Sequence, residues 1–362
     1  MPLPHLSLAQ RGALEHVAAQ ARRRRAEAVA LQDHIRRMSD ISAGDFREAA
    51  LSLERHARVA LHFHPDRPDA AGDTVAQALL RDGVYRSQYE TGLSNGGLSA
   101  HPGGRRDLCE ELLFGGAYHA PDTTAAERPK YGALGILRHA DGPSPRFGSC
   151  YLVLAAAVGP RCTFTYLDSH EAAVERGTLD EFDDVFAAVL RSVFDHGMAL
   201  GESDLTVPNL VHRLRCDLSA PLHDLRRLRV ARNLNHYVEA QVHGDVVLER
   251  DVDALVADPS FRDAETGRVL AELCVRNAIT LHWHPGFVLS CDDVPRDFRG
   301  HTMPSLAQRV ARSGIVDARA IGAAVTDLRV NPGAWCDRGR PEDVLQELKL
   351  LWHVLVKYGT PA

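Results

Sequence analysis

The residues best suited to do chemistry in this sequence fall in one nine-residue run, HYVEAQVHG (236–244). Tyr237, Glu239, Gln241 and His243 share one parity and Val238, Ala240 and Val242 the other, which is the period of a strand with one polar face. A carboxylate set between a phenol and an amide on that face can hydrogen-bond a sugar hydroxyl and stabilise positive charge developing at an anomeric carbon. The same alternation also describes an ordinary solvated strand, so the rest of the chain has to decide.

A second constellation is HFHPDR, with His62 and His64 two apart on a strand and Asp66 just beyond. Such a pair can place two imidazoles on a divalent ion, and His282 and His284 repeat the phrase in LHWHPGF. With 19 histidines in the chain, hydrogen-bonded semi-buried imidazoles are the plainer reading of both phrases. A third is GVYRSQYETGLSNGG (83–97), where Arg86 and Ser87 precede a glycine- and asparagine-rich turn. An arginine leaving a strand into a cleft holds a phosphate or carboxylate with two parallel hydrogen bonds; one paired with Glu90 on the surface does nothing of the kind. The series RPKYGAL, RFGSCYLVL, RCTFTYLDSH (128–170) adds Tyr131, Gly132 and the Gly148-Ser149 pair, small residues that admit close backbone approach, and Asp168-Ser169, a turn cap in its commoner use.

Strands must position these residues, and β-type runs are read at 58–64, 83–92, 131–137, 148–155, 161–167, 236–244 and 278–284. Helical spacing is read in two or three helices across 7–58, broken at 39–45, and at GGRRDLCEELLFG and TLDEFDDVFAAVLRSVFDHG. After 250 it is read at DVDALVAD, GRVLAELCVRN, SLAQRVARSG and EDVLQELKLLWHVLVKYG. The class is α+β: a helical segment 1–58, an α+β catalytic core 59–300 and C-terminal helices 301–362. ArgArgArgArg at 22–25 reads as a solvated helix face.

With 362 residues, 45% of them hydrophobic, the chain can bury a substantial core. A net charge of −6 with interleaved signs predicts no general affinity for nucleic acid. Seven scattered cysteines, never spaced C-x-x-C, argue for reduced thiols in a cytoplasm. Apolar runs such as CYLVLAAAVG fall short of the roughly 20 residues of a membrane span, and MPLPHLSLAQRG lacks the pattern of a secretory signal.

Order and combination suggest more. VYRS (84–87) resembles the first-strand arginine motif of the arginine-serine-glutamate class of ADP-ribosyltransferases. GSCY (148–151) sits where the serine motif would fall, and the Tyr-x-Glu of YVEAQ resembles the late-strand motif that carries the glutamate. The stretch 59–300 also resembles a bacterial family known as domain of unknown function 3626. The first resemblance implies an ADP-ribosyltransferase-like β-rich core using NAD as co-substrate without a metal, a toxin- or effector-like enzyme of the glycosyltransferase class. It implies Glu239, Arg86 and Tyr237 as catalytic and Arg86, Ser87, Tyr131, Gly132, Ser149 and Gln241 as NAD-binding, with Arg86 on the pyrophosphate or a ribose and donors near Gly132 and Ser149 on the nicotinamide amide.

GSC stands in place of Ser-Thr-Ser, and Tyr237 in place of the Gln or Glu that accompanies arginine or asparagine acceptors, so the acceptor stays open and NAD hydrolysis is equally allowed. The expected partners are NAD and a macromolecular acceptor, protein sooner than nucleic acid, with no membrane. The expected location is the cytoplasm, or a target cell reached without a cleavable signal. Two alternatives stand beside this: a metal-dependent hydrolase built on His62, His64, Asp66, His282 and His284 around a divalent ion, and a non-catalytic partner-binding protein.

Overall fold

Two helices open the chain in the computed structural model, which describes residues 6–69, 72–93, 99–171, 173–221 and 225–362. The α1 helix (Leu8–Met38) starts on a capping box between Ser7 and Gln10, and α2 (Ala43–His56) starts on Ser42. The arginine run of α1 is a clamp on the protein itself. Arg22 meets Glu181 at 2.9 Å, Arg24 meets Asp184 at 2.9 Å and Arg25 meets Asp183 at 3.1 Å, all at the N-terminal end of a later helix, Asp183–His196. Acids there also complement that helix's dipole.

The strands in chain order are β1 (Arg58–Phe63), β2 (Val84–Tyr85), β3 (Lys130–Gly135), β4 (Cys150–Leu154), β5 (Cys162–Tyr166) and β6 (Arg176–Thr178), followed by β7 (Val238–Val242), β8 (Val246–Val247), β9 (Val252–Ala257) and β10 (Thr280–Trp283). Eight of them form one sheet in the order β10-β9-β4-β1-β3-β7-β5-β6, in which only the β9–β10 pair is parallel. β2 and β8 make a separate ribbon.

One face of the sheet carries Leu61, Leu134, Leu152, Phe164, Ala240 and Leu255, and it packs into a core that runs from Ile35 in α1 to Val356 near the C-terminus. All three sequence segments therefore contribute to one hydrophobic cluster. The opposite face carries Ala60, His62, Tyr131, Thr163, Thr165, Glu239 and Gln241, placed together by the registers Ala133↔Glu239, Tyr131↔Gln241 and Thr165↔Glu239.

Two expectations need correction. DVDALVAD is not helical: it is β9, whose Ala254 and Val256 face one side and Leu255 and Ala257 the other, all buried. Covering both faces removes the alternation that marks a strand, so the apolar run looked helical. GVYRSQYETG is not a long strand. It pairs only at Val84–Tyr85, after which Ser87 and Glu90 form a capping box for the short helix Gln88–Thr91. Part of the turn expected at 93–97 lies outside the described residues.

The β1–β3 pairing is confined to Arg58–Ala60 against Ala133–Gly135. Further on, His62 and Phe63 pair with β4 alone, while Lys130 and Tyr131 pair with β7 alone. The sheet thus divides between β1 and β3. Gly132 sits at the fork, where a Cβ would come within 2.4 Å of the Ala60 carbonyl oxygen. Among the described residues no helix is long and apolar enough to cross a membrane.

Candidate active site

The polar face of β7 is a chain of hydrogen bonds. Tyr118 and His243 Nδ1 lie 2.5 Å apart, and His243 Nε2 lies 3.1 Å from Thr163 Oγ1. The Thr163 hydroxyl donates to Gln241 Oε1 at 2.7 Å, and Gln241 Nε2 donates to Glu239 Oε1 at 2.8 Å. Burial, then the charges of Lys130 and Arg161, hold His243 down at about 3, so it is neutral and fits this sequence with its proton on Nε2. The chain ends by fixing one oxygen of one carboxyl group. Ser169 Oγ donates to that same oxygen at 2.5 Å.

Burial, followed by the charge of Asp168, raises Glu239 to about 7, against the pull of Arg106 and the two hydrogen bonds. Asp168 goes the other way: burial is outweighed by hydrogen bonds from the His170 side chain and backbone, and its pKa is lowered. His170 Nδ1 is 2.7 Å from Asp168, and the Tyr237 hydroxyl donates to Asp168 at 2.9 Å. Leu167 brings these groups back over the sheet by taking a left-handed conformation, φ 66°, and its N–H bonds the Tyr237 carbonyl. Two neighbouring acids are thereby pushed apart, one ionised and one poised near neutrality.

The helix Arg105–Phe114 adds Arg106 to the other wall, and it buries charged residues beside Leu113 and Phe114. Leu108 and Leu112 are 52% and 75% exposed, while Arg106, Asp107 and Glu110 are buried. Arg128 joins Asp107 at 2.7 Å and Glu110 at 2.8 Å, and the Tyr131 hydroxyl donates to Glu110 at 2.8 Å. Arg106 sits over the Tyr131 ring, its guanidinium carbon 4.0 Å from the centroid.

A cavity of about 520 Å³ opens where β1 and β3 part. Arg86, Ser87, Tyr131, Gly132 and Glu239 all line it, so the structure brings these expected site residues together. Arg106, Asp168, His170, Arg146 and Phe147 line it as well. Tyr237 and Gln241 sit behind Glu239 and reach the cavity through the hydrogen bonds above. Arg86 stands at the rim, about half exposed and held by Asp82 at 3.1 Å and Glu90 at 3.2 Å. Ser149 is not in the cavity wall: it is buried and its carbonyl lies 2.9 Å from His284 Nε2. The close neighbour of Gly148 is likewise the Phe63 backbone, 2.3 Å from where a Cβ would stand.

The paired histidines do not converge. His62 and His282 share a row of the sheet through Tyr151 and Val256, which sets them three strand spacings, about 14 Å, apart. His62 spans Gly148 O at 3.2 Å and Ser144 N at 3.3 Å, and His64 packs edge-on to Trp352. His284 accepts from Gly286 N at 2.9 Å, and the Asp66 carboxylate lies over Gly322. Both H-x-H-P phrases serve as corners that end a strand. No group of three or more His, Cys, Asp or Glu poised to hold a metal ion occurs among the described residues.

Residues 58–358 match a family described as a protein of unknown function, DUF3626. The chain belongs to that family. No curated protein matches it. The DUF3626 span takes in the whole eight-stranded sheet and every residue of the cavity wall, and α1 and α2 precede it.

Arg106 and Asp168 were not foreseen as site residues of this DUF3626 domain. The signal for Arg106 was present in GGRRDLCEELLFG, where Arg106 and Glu110 lie one turn apart on a helix that turns Leu108 and Leu112 to the other side. For Asp168 there was none, because its meeting with Glu239 depends on how β5 pairs with β7.

A second cavity, about 380 Å³, shares the polar side of the sheet and is floored by Ala60, Tyr151, Val153 and Ala254. The His62 ring stands between the two. It lines the first cavity, and Gly142 in the wall of the second leaves room for it, since a Cβ there would lie 2.6 Å from His62 Nε2.

Proposed function

We propose that this DUF3626 protein cleaves the nicotinamide–ribose bond of NAD and transfers the ADP-ribosyl group to water or to a macromolecular acceptor, a protein sooner than a nucleic acid. The observation that carries the reading is the Glu239 carboxyl. It is buried in the wall of a cavity of about 520 Å³, fixed by donors on one oxygen and raised to about 7 beside an ionised Asp168.

A carboxylate in that state is under-stabilised at rest and gains most when positive charge appears beside it. Cleavage supplies that charge. The C1′–N bond breaks with its electron pair going to the ring nitrogen, neutral nicotinamide departs, and the ribose carbon becomes oxocarbenium-like next to Glu239. The acceptor oxygen or nitrogen then bonds to C1′ and releases its proton to solvent. Because the leaving group is already cationic, the step asks for no metal. Arg86 at the rim would exchange Asp82 and Glu90 for phosphate oxygens, and Asp168 would add negative potential around the reacting carbon.

The test is nicotinamide release from NAD by the purified protein, with and without a chelator, beside Glu239→Gln. The reading expects release that ignores the chelator and falls by about a hundred- to a thousandfold in the variant, the scale of losing a principal electrostatic stabiliser. Release that persists in Glu239→Gln, or no release from the wild type, rejects it.

A further inference from the structure

We propose that Arg106 is a substrate-binding residue that donates a hydrogen bond to the carbonyl oxygen of the pyridinium carboxamide, so that this protein selects the leaving group by its carboxamide. The inference rests on the NAD reading above.

The argument starts from an unusual guanidinium. Arg106 is 5% exposed and lines the cavity, yet Nε and Nη1 have no hydrogen-bond partner among the described residues. The neighbouring buried arginine, Arg128, shows the ordinary arrangement, with a carboxylate on each side. A donor removed from water and left unpaired is costly, and its usual explanation is a group that binds there. Its place over the Tyr131 ring holds the guanidinium at the cavity wall, and Tyr131 is fixed in turn by Glu110.

The chemistry of the missing acceptor follows from the surroundings. The charged groups acting on Arg106, besides Tyr131, are Glu239, Glu110 and Asp168, and of these Glu110 is already joined to Arg128. The cavity also holds Arg86, Lys130 and Arg146, but the groups acting most strongly on Arg106 after Tyr131 are carboxylates, which at this point disfavours a phosphate and favours a group with a neutral acceptor oxygen on a cationic frame. A pyridinium carboxamide is such a group. Its ring charge sits well beside Asp168 and Glu239, and its carbonyl oxygen is the acceptor that Arg106 lacks.

The test compares NAD, its 3-acetylpyridine analogue, which keeps the carbonyl, and its thionicotinamide analogue, whose sulfur is a poor acceptor. For each dinucleotide, kcat/KM of Arg106→Met and Arg106→Lys is divided by that of the wild type, which cancels differences in leaving-group reactivity. Loss of one hydrogen bond from a charged donor should lower the ratio about tenfold for NAD and the acetyl analogue in Arg106→Met while sparing the thio analogue. Arg106→Lys, which keeps the charge without the fixed fork, should recover only part of the discrimination. Equal losses on all three dinucleotides, accompanied by a displaced pH profile and restored by lysine, would overturn the proposal and leave Arg106 as a support for Glu239. An unfolded Arg106→Met is recognised by thermal melting, and Arg106→Lys then decides alone. Failure of the wild type to cleave NAD rejects the underlying reading and this proposal with it, whereas cleavage with unchanged discrimination rejects this proposal only.

Discussion

Glu239 links stability to function with a definite sign. Its carboxyl titrates near 4.5 when unfolded and about 7 when folded, so folding holds its proton. Below about pH 4.5 both states are protonated and the group is neutral in its effect. Between the two values the unfolded chain ionises first and stability declines, and above 7 the full penalty, roughly 3 kcal/mol from burial of the charge, is present. Glu239→Gln keeps an acceptor for Ser169 and Gln241 and removes the charge. Its melting temperature should therefore exceed that of the wild type at pH 8 and match it at pH 4, and a variant less stable at pH 8 would contradict this account. The proposed chemistry needs the ionised form, so kcat/KM for NAD should rise with pH through about 7 in a buffer series. Of these residues, Glu239 shows in the alternation, which fits a solvated strand as well, and it was order and combination along the chain that singled it out. Arg86 stands at the rim instead, because a helix cap brings Glu90 to it and the end of the helix Val75–Asp82 brings Asp82.

At the scale of elements, β7 explains how a fully buried strand carries so much polarity. Its polar residues face β5 and the Tyr118 segment, not water, and each satisfies the next. Thr163→Val would strip Gln241 of a donor and His243 of an acceptor at once. Two buried groups left unpaired should destabilise the protein by about 2 to 5 kcal/mol, readable in urea unfolding, and free Gln241 to turn away from Glu239. The clamp between α1 and the helix Asp183–His196 is graded in the same way. Asp184 is 4% exposed and accepts from Arg24 and the Arg176 N–H, whereas Asp183 is 31% exposed. Asp184→Asn should lower the melting temperature by several degrees and Asp183→Asn by little, with the first effect persisting in high salt. Helices were legible where one face of each meets solvent, and buried strands such as β4 from β-formers between turn residues. β9, also covered on both faces, was not, since its acids and alanines offer neither signal.

The whole molecule was legible as α+β. Composition shifts near 58 and 300 suggested segments, yet residues from all three lie in a single hydrophobic cluster, because helical faces from both ends pack onto the same side of the sheet. The forking of the sheet at Gly132 was likewise beyond the sequence, since a strand's own pattern does not say where its neighbour departs. That fork gives the protein a chamber of about 520 Å³, and beside it stands a smaller one, so two rooms adjoin and the wall between them holds the His62 ring with Tyr151 against it. The ring in that wall is bolted at both ends, by Gly148 and Ser144, and burial keeps it neutral down to about pH 3, so ordinary acidity does not swing it open. Removing it with His62→Gly would join the rooms into a tunnel with two mouths, giving a product formed at Glu239 a second way out, and added imidazole should shut that exit again.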